Sequence, residues 1–359
     1  MVTDILDRFS APTRAWFAGA FESPTPAQLG AWDSISSGAH TLVVAPTGSG
    51  KTLSAFLWSL DRLSSTPADE HAARDHRTRV LYVSPLKALA VDVERNLRSP
   101  LVGITQTAKR LGLTPPDITV GVRSGDTSQA DRRAMARTPP DILITTPESL
   151  FLMLTSSARE NLVGVETVIV DEVHAVAGTK RGAHLALSLE RLDQLLRAPA
   201  QRIGLSATVR PHEEVGRFLA GSAPIRIVAP PSAKTWDLTV RVPVEDMTEL
   251  GVSEPDEESF SPSPQAGSIW PHVEEQIVDL ITEHRSTIVF ANSRRLSERL
   301  TARLNEIHAE RLGEDVDRES APPSQLGSPT ETSAGAAPVL ARAHHGSVSK
   351  DQRALIEDD

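Results

Sequence analysis

TLVVAPTGSGKT, residues 41–52, starts as a continuous apolar run and turns at once into a glycine-rich loop. An apolar run without alternation is how a strand covered on both faces reads. Gly48 and Gly50, interleaved with Thr47 and Ser49, let the backbone curl so that its N–H groups point into one concavity. Behind the loop, Leu53, Phe56, Leu57, Leu60 and Leu63 fall on one helical stripe. Strand, loop and helix in that order are the setting of a phosphate-binding loop. Lys51 supplies a point charge for outer phosphates, and the Thr52 hydroxyl can ligate Mg²⁺. Ala45 stands where the strict pattern has glycine, so the match is to a relaxed form.

Short β-branched runs alternate with helix-periodic stretches around this segment. The predicted strands are Thr41–Ala45, Arg79–Val83, Thr119–Val122, Asp141–Thr145, Thr167–Val170, Arg202–Leu205 and Ile225–Val228. Leu185, Leu189, Leu192 and Leu196 mark a further helical stripe. Such alternation implies an α/β fold with a parallel sheet flanked by helices. Residues 1–230 read as this first domain. Residues 231–269 read as a connection, in which Leu238, Val240, Val242 and Val244 alternate like an exposed strand. Residues 251–268 are acidic and rich in Ser and Pro, the composition of a linker. A second α/β unit is expected over 270–359. It has helices marked by Val273, Ile277, Leu280 and Ile281 and by Leu296, Leu300, Leu304 and Ile307, the latter capped by Ser293. Strands are expected at 287–291 and 338–343, and a disordered insertion at 311–337. Two strands are too few to bury a core, so this unit is expected to be incomplete.

A phosphate loop needs a carboxylate for its metal. TVIVDEVH, residues 167–174, offers Asp171 and Glu172 at the end of a buried run. Alone, two acids at a strand end read as a solvated turn. With the phosphate loop upstream, Asp171 would hold Mg²⁺ through its water shell, and Glu172 would orient and deprotonate an attacking water. The two strands are expected side by side, with ligands at their carboxyl ends.

The chain has 359 residues, 39% hydrophobic and 23% charged, with a formal net charge of −10 and no cysteine. Disulfides, thiol catalysis and cysteine-based zinc sites are excluded. No apolar run approaches the roughly 18 residues of a membrane span, and the N-terminus lacks the pattern of a secretory signal. A cytoplasmic protein with no membrane partner is expected. The acidity means that any nucleic-acid contact must come from a local cluster, such as Arg123, Arg132, Arg133 and Arg137, and from backbone N–H groups.

The phosphate loop and DEVH together resemble the superfamily 2 helicases of the DExH type, and further segments follow in that family's order. PTPAQ (24–28) resembles the glutamine motif that reads adenine. SPLKALA (84–90), RSGDT (123–127) and TTPESL (145–150) resemble nucleic-acid contact motifs. SAT (206–208) resembles the motif that couples hydrolysis to movement. VFANSRR (289–295) and HHGSVSK (344–350) resemble the opening motifs of a second motor domain. The wording of SPLKALA, TTPESL, DEVHAV and HHGSVSK is most similar to the large helicase-related (Lhr) proteins of bacteria and archaea.

This resemblance implies a RecA-like first domain, followed by the first half of a second one. It implies an ATP-dependent motor moving 3′ to 5′ on single-stranded DNA and unwinding duplexes, DNA/RNA hybrids among them. ATP and Mg²⁺ are the implied cofactors. Gln28 would pair with adenine through its amide, and Phe21 would stack beside the base. His174 would link the nucleotide site to Ser206 and Thr208. Ser84, Pro85, Lys87, Arg123, Thr146, Pro147, Ser149 and Asn292 would meet the nucleic acid. The family's arginine finger lies in later motifs, so the chain is expected to bind ATP yet hydrolyse it poorly. A non-enzymatic fragment that binds ATP or DNA is the alternative. A small-molecule kinase would leave SPLKALA, TTPESL and SAT unexplained.

Overall fold

A computed structural model of the chain describes residues 4–65, 78–85, 87–231, 237–244, 269–313, 340–345, 348 and 356. It divides into two compact units, Met1–Thr235 and Trp236–Asp359.

The first unit opens with a short 3₁₀ turn at Ile5–Arg8 and helices α1 (Ala11–Ala20) and α2 (Pro26–Ser36). Thr25 and Gln28 close a capping box on α2, which satisfies two otherwise orphaned donors. The alternation then runs β1 (His40–Val44), α3 (Lys51–Ser65), β2 (Val80–Val83), α4 (Lys87–Arg110), β3 (Val120–Arg123), α5 (Gln129–Arg137), β4 (Ile142–Thr145), α6 (Pro147–Leu154), β5 (Thr167–Val170), α7 (Val173–Val176), α8 (Lys180–Leu195), β6 (Gln201–Ser206), α9 (His212–Ala220) and β7 (Ile225–Val228). All seven predicted strands form, each within one residue of its predicted ends.

They make one sheet in the order β3-β4-β2-β5-β6-β1-β7, with every pairing parallel. Alternate residues of β1 serve opposite faces. Val43 packs with Phe17, Trp32, Phe56, Leu60 and Tyr82 on the side of α1–α4, and Leu42 and Val44 pack with Leu185, Leu189 and Leu219 on the side of α6–α9. Both faces of the inner strands are therefore dry, which is why those strands are apolar without alternation. Fully burying one side chain such as Phe56 contributes roughly 1.5–3 kcal/mol.

One expectation is corrected here. β1 and β5 do not lie side by side, because β6 is inserted between them and pairs with both. The parallel register puts Val44 beside Ser206, and Val83 beside Val170 and Thr145. The loops carrying the phosphate motif, SAT, DEVH, SPLKALA and TTPESL thus leave the same edge of the sheet in spatial succession.

The second unit contains α10 (Trp270–Glu283) and α11 (Arg294–Leu312). Ser293 caps α11 by accepting from Leu296 N at 3.1 Å. Val278, Leu300, Leu304 and Ile307 form a small core with Leu340 and Ala341 against it. The strand predicted at 287–291 does not form. Its residues belong to no strand, and Ile288 and Phe290 are 80% and 92% exposed. Residues 340–343 are not a strand either; Asn305 Oδ1 accepts from the backbone N–H groups of Leu340 and Ala341, both at 2.9 Å. Leu238, Val240 and Val242 are likewise exposed and outside any strand. The shared reason is that a strand needs a neighbour to receive its hydrogen bonds, and none lies beside these segments among the described residues. Residues 311 and 312 still belong to α11. The rest of the predicted insertion and the linker at 251–268 lie outside the described residues.

No helix among the described residues is long and apolar enough to cross a membrane.

Candidate active site

The phosphate motif forms the loop between β1 and α3. Gly48 and Gly50 have φ of 81° and 78°, the left-handed region that glycine adopts without strain. A Cβ on Gly48 would meet nothing within 4 Å, so the loop curls around open space. Thr47 is exposed, and Ser49 turns its hydroxyl back to the Pro46 carbonyl at 2.7 Å. Lys51 is buried at the start of α3, with Thr52 next to it.

The glutamine motif is fastened to this loop. Thr25 Oγ1 donates to the Ser49 carbonyl at 2.8 Å. Gln28 is buried, its Oε1 accepts from Thr25 N at 2.9 Å, and its Nε2 lies against Gly50 so closely that a Cβ there would sit 2.5 Å away. Phe21 is 43% exposed and stacks on Phe17 with ring centroids 4.9 Å apart.

The DEVH segment follows β5. Asp171 is buried and both its oxygens are engaged: Oδ2 accepts from Tyr82 Oη at 2.5 Å and Oδ1 from Glu172 N at 2.9 Å. Burial pushes the Tyr82 phenol well above its ordinary value, and the Asp171 charge adds to the effect, so the hydroxyl remains a donor. Glu172 has φ 43° and is the only non-glycine residue with positive φ among the described residues. Its Oε1 lies 3.9 Å from Lys51 Nζ and its Oε2 lies 3.2 Å from His174 Nε2. His174 Nδ1 accepts from Ala207 N at 3.2 Å and lies 3.2 Å from Ser206 Oγ. That assigns the ring proton to Nε2, facing Glu172. Lys51, Glu172, His174 and the SAT loop are thus one chain of polar contacts. Thr208 is exposed at its far end. An open concavity with backbone N–H groups, one ammonium and two carboxylates on its rim fits the donor and acceptor needs of a polyphosphate with a hard divalent ion.

The nucleic-acid candidates divide. Ser84, Pro85, Thr146, Pro147 and Ser149 are buried. Thr146 caps α6 and donates to Ser149 Oγ at 3.2 Å, while Ser84 N bonds the Thr145 carbonyl at 2.9 Å. Arg123 is half-buried at the end of β3, and burial together with Arg132 lowers its pKa. Lys87 begins α4. Asn292 is exposed in the second unit, just before the Ser293 cap.

Two side chains had gone unnoticed in the sequence. Tyr82 is the only tyrosine in the chain and interrupts an aliphatic run; a buried phenol needs a partner, which was the available signal. Arg181, near the start of α8, grips both Glu148 and the Pro85 carbonyl. A cation in the first turn opposes the helix dipole, and that was its signal.

Residues 25–215 match the family model described as DEAD/DEAH box helicase. The chain is 65% identical over 361 residues to the Lhr helicase/probable uracil glycosylase of Mycolicibacterium smegmatis, covering 99% of this chain and 23% of that protein. It is 51% identical over 356 residues to the Lhr helicase/uracil glycosylase of Escherichia coli, covering 98% of this chain and again 23% of the relative. The chain therefore spans less than a quarter of either relative's length. Among solved structures, the Mycobacterium smegmatis helicase Lhr bound to ssDNA and AMP-PNP superposes with a TM-score of 0.77 at 64% identity, covering 99% of this chain and 40% of that one.

Proposed function

Because the chain belongs to the DEAD/DEAH box helicase family, we propose that it forms the nucleotide-hydrolysing part of an Lhr-type motor that advances 3′ to 5′ on single-stranded DNA and separates duplexes, DNA/RNA hybrids included. The observation that carries this reading is the unbroken polar path from Lys51 through Glu172 and His174 to Ala207. Thr47, Gly48, Ser49, Gly50, Lys51 and Thr52 would hold the phosphates of ATP. Thr52 and Asp171 would hold Mg²⁺, which neutralises charge developing on the transferred group. Glu172 would accept the proton of the attacking water. His174 steadies one Glu172 oxygen and leaves the other toward Lys51. Through its second nitrogen it would carry any shift of Glu172 to Ser206, Ala207 and Thr208. Gln28 would meet adenine chiefly through its amide nitrogen, since its oxygen is held by Thr25 N–H, with Phe21 beside the base.

Ser84, Pro85, Thr146, Pro147 and Ser149 are buried, so they would act by shaping loops whose backbone N–H groups meet phosphates. Lys87 and Arg123 would add charge, and Asn292 is the second unit's candidate contact.

Calorimetry with a non-hydrolysable ATP analogue tests the nucleotide site. Lys51→Ala should lose at least ~2 kcal/mol of affinity, the scale of a lost charge-assisted hydrogen bond. Glu172→Gln should keep the affinity and abolish phosphate release. Equal affinity in wild type and Lys51→Ala would overturn the assignment.

A further inference from the structure

Arg181 sits seven residues beyond His174 and adds a bond to a backbone carbonyl to its ion pair. Its guanidinium forks onto the Glu148 carboxylate, with Nη2 to Oε2 at 2.8 Å and Nε to Oε1, while Nη1 donates to the Pro85 carbonyl at 2.5 Å. Glu148 belongs to the TTPESL motif and Pro85 to SPLKALA, so one side chain on α8 joins two separate motif loops. The pair is strong. The Arg181 hydrogen bond holds the Glu148 carboxyl down to about 2.

Arg181 gains nothing from its own helix, since a cation at a helix N-terminus is disfavoured. Its position is nevertheless fixed. Thr179 caps α8 by accepting from Gly182 N at 3.0 Å. A Cβ on Gly182 would come within 2.0 Å of the Val176 carbonyl oxygen, so only glycine lets α8 start this close to α7. α7 begins at the residue after Glu172. A movement of the DEVH segment would therefore reach the Arg181 guanidinium through α7 and the Gly182 contact.

We propose that Arg181 is a positioning residue that ties the DEVH segment to the two nucleic-acid loops, so that the nucleotide site sets the geometry with which SPLKALA and TTPESL meet a single strand. This rests on the motor reading above. In this role Arg181 acts through Glu148 and Pro85, which take three of its five N–H groups, and not by meeting phosphate itself. Lysine could not replace it, having no planar fork to meet a carboxylate and a carbonyl together.

The test uses the full 359-residue chain with Arg181→Ala and Arg181→Lys. Binding of a fluorescein-labelled oligothymidylate is followed by anisotropy across a potassium chloride series, and nucleotide affinity is measured with a fluorescent ATP analogue. Both variants should bind the oligonucleotide about tenfold more weakly, the scale of a lost charge-assisted network. Nucleotide affinity should remain within about twofold of wild type, and the salt slope should not change. If Arg181→Ala does not fold, Arg181→Lys keeps the stem and charge and is read alone. Wild-type affinity in Arg181→Lys would overturn the proposal, because charge alone would then suffice. A salt slope lower by about 0.7 would also overturn it, since that is the loss of one direct phosphate contact on a single strand. A wild-type chain that binds nucleotide but no oligonucleotide would instead overturn the motor reading.

Discussion

Gly50→Ala puts a methyl group where the glutamine motif meets the phosphate loop. The backbone at Gly50 has φ 78°, and an L-residue there costs roughly 1–2 kcal/mol. The new Cβ would stand 2.5 Å from Gln28 Nε2 and 3.1 Å from Cδ, so the amide must swing away. Gln28 is buried and its Oε1 caps Thr25 N. Moving it undoes half a capping box, a further loss of about 1 kcal/mol. The sum, about 2–3 kcal/mol, converts for a unit of this size to a fall in melting temperature of roughly 5–10 °C. Far-ultraviolet circular dichroism reads this directly. The double-mutant cycle is more pointed. Gln28→Ala removes the obstacle, so adding Gly50→Ala to it should cost only the backbone term, and the coupling should be about 1 kcal/mol. If the two losses simply add, the contact between glutamine motif and phosphate loop is not as close as described, and the reasoning fails.

Three further outcomes follow from Tyr82 and Glu148. Tyr82 is the only tyrosine in the chain, so tyrosinate absorbance reports on it alone. Its pKa is raised, so stability from the protonated phenol is present below about 10 and is lost as pH rises beyond it, and tyrosinate should appear only together with unfolding. Tyr82→Phe leaves Asp171 without its Oδ2 donor and should raise several-fold the Mg²⁺ concentration needed for half-maximal nucleotide binding; an unchanged Mg²⁺ dependence would count against that tie. Glu148 should titrate at about 2 by carbon-13 NMR, against an ordinary 4.5, and return upward in Arg181→Ala. Its pKa is depressed, so the stabilisation is complete above about 4.5 and is lost as pH falls toward 2; a value near 4.5 in wild type would show that the fork does not persist in solution.

The first sheet was legible because its inner strands are covered on both faces, which leaves an unbroken apolar run such as Val168–Val170 between turn residues. The approach of Lys51 to the DEVH segment was legible because phosphate loops and strand-end carboxylates are local patterns. Strand order is not local. Nothing within Arg202–Leu205 says that it inserts between β1 and β5, although that insertion is what brings Ala207 to His174. The same holds for Tyr82 with Asp171 and for Arg181 with Pro85, partners 89 and 96 residues apart. In the second unit the periodicity of α10 and α11 was sufficient, since helices satisfy their own backbone. The run around Phe290 was misread because hydrophobicity reports a wish for burial, while a strand also requires a neighbour.

Glu172 occupies a left-handed position that nearly every other side chain would avoid. Asparagine and glycine adopt that conformation more readily, glutamate at a cost of roughly 1–2 kcal/mol. Selection for heat resistance alone therefore pushes position 172 away from the carboxylate that the proposed chemistry needs. A library screened only for folded, soluble protein should enrich Asn or Gly there, and its most robust members would be inert. Any effort to harden this protein should hold residue 172 constant and look for stability elsewhere.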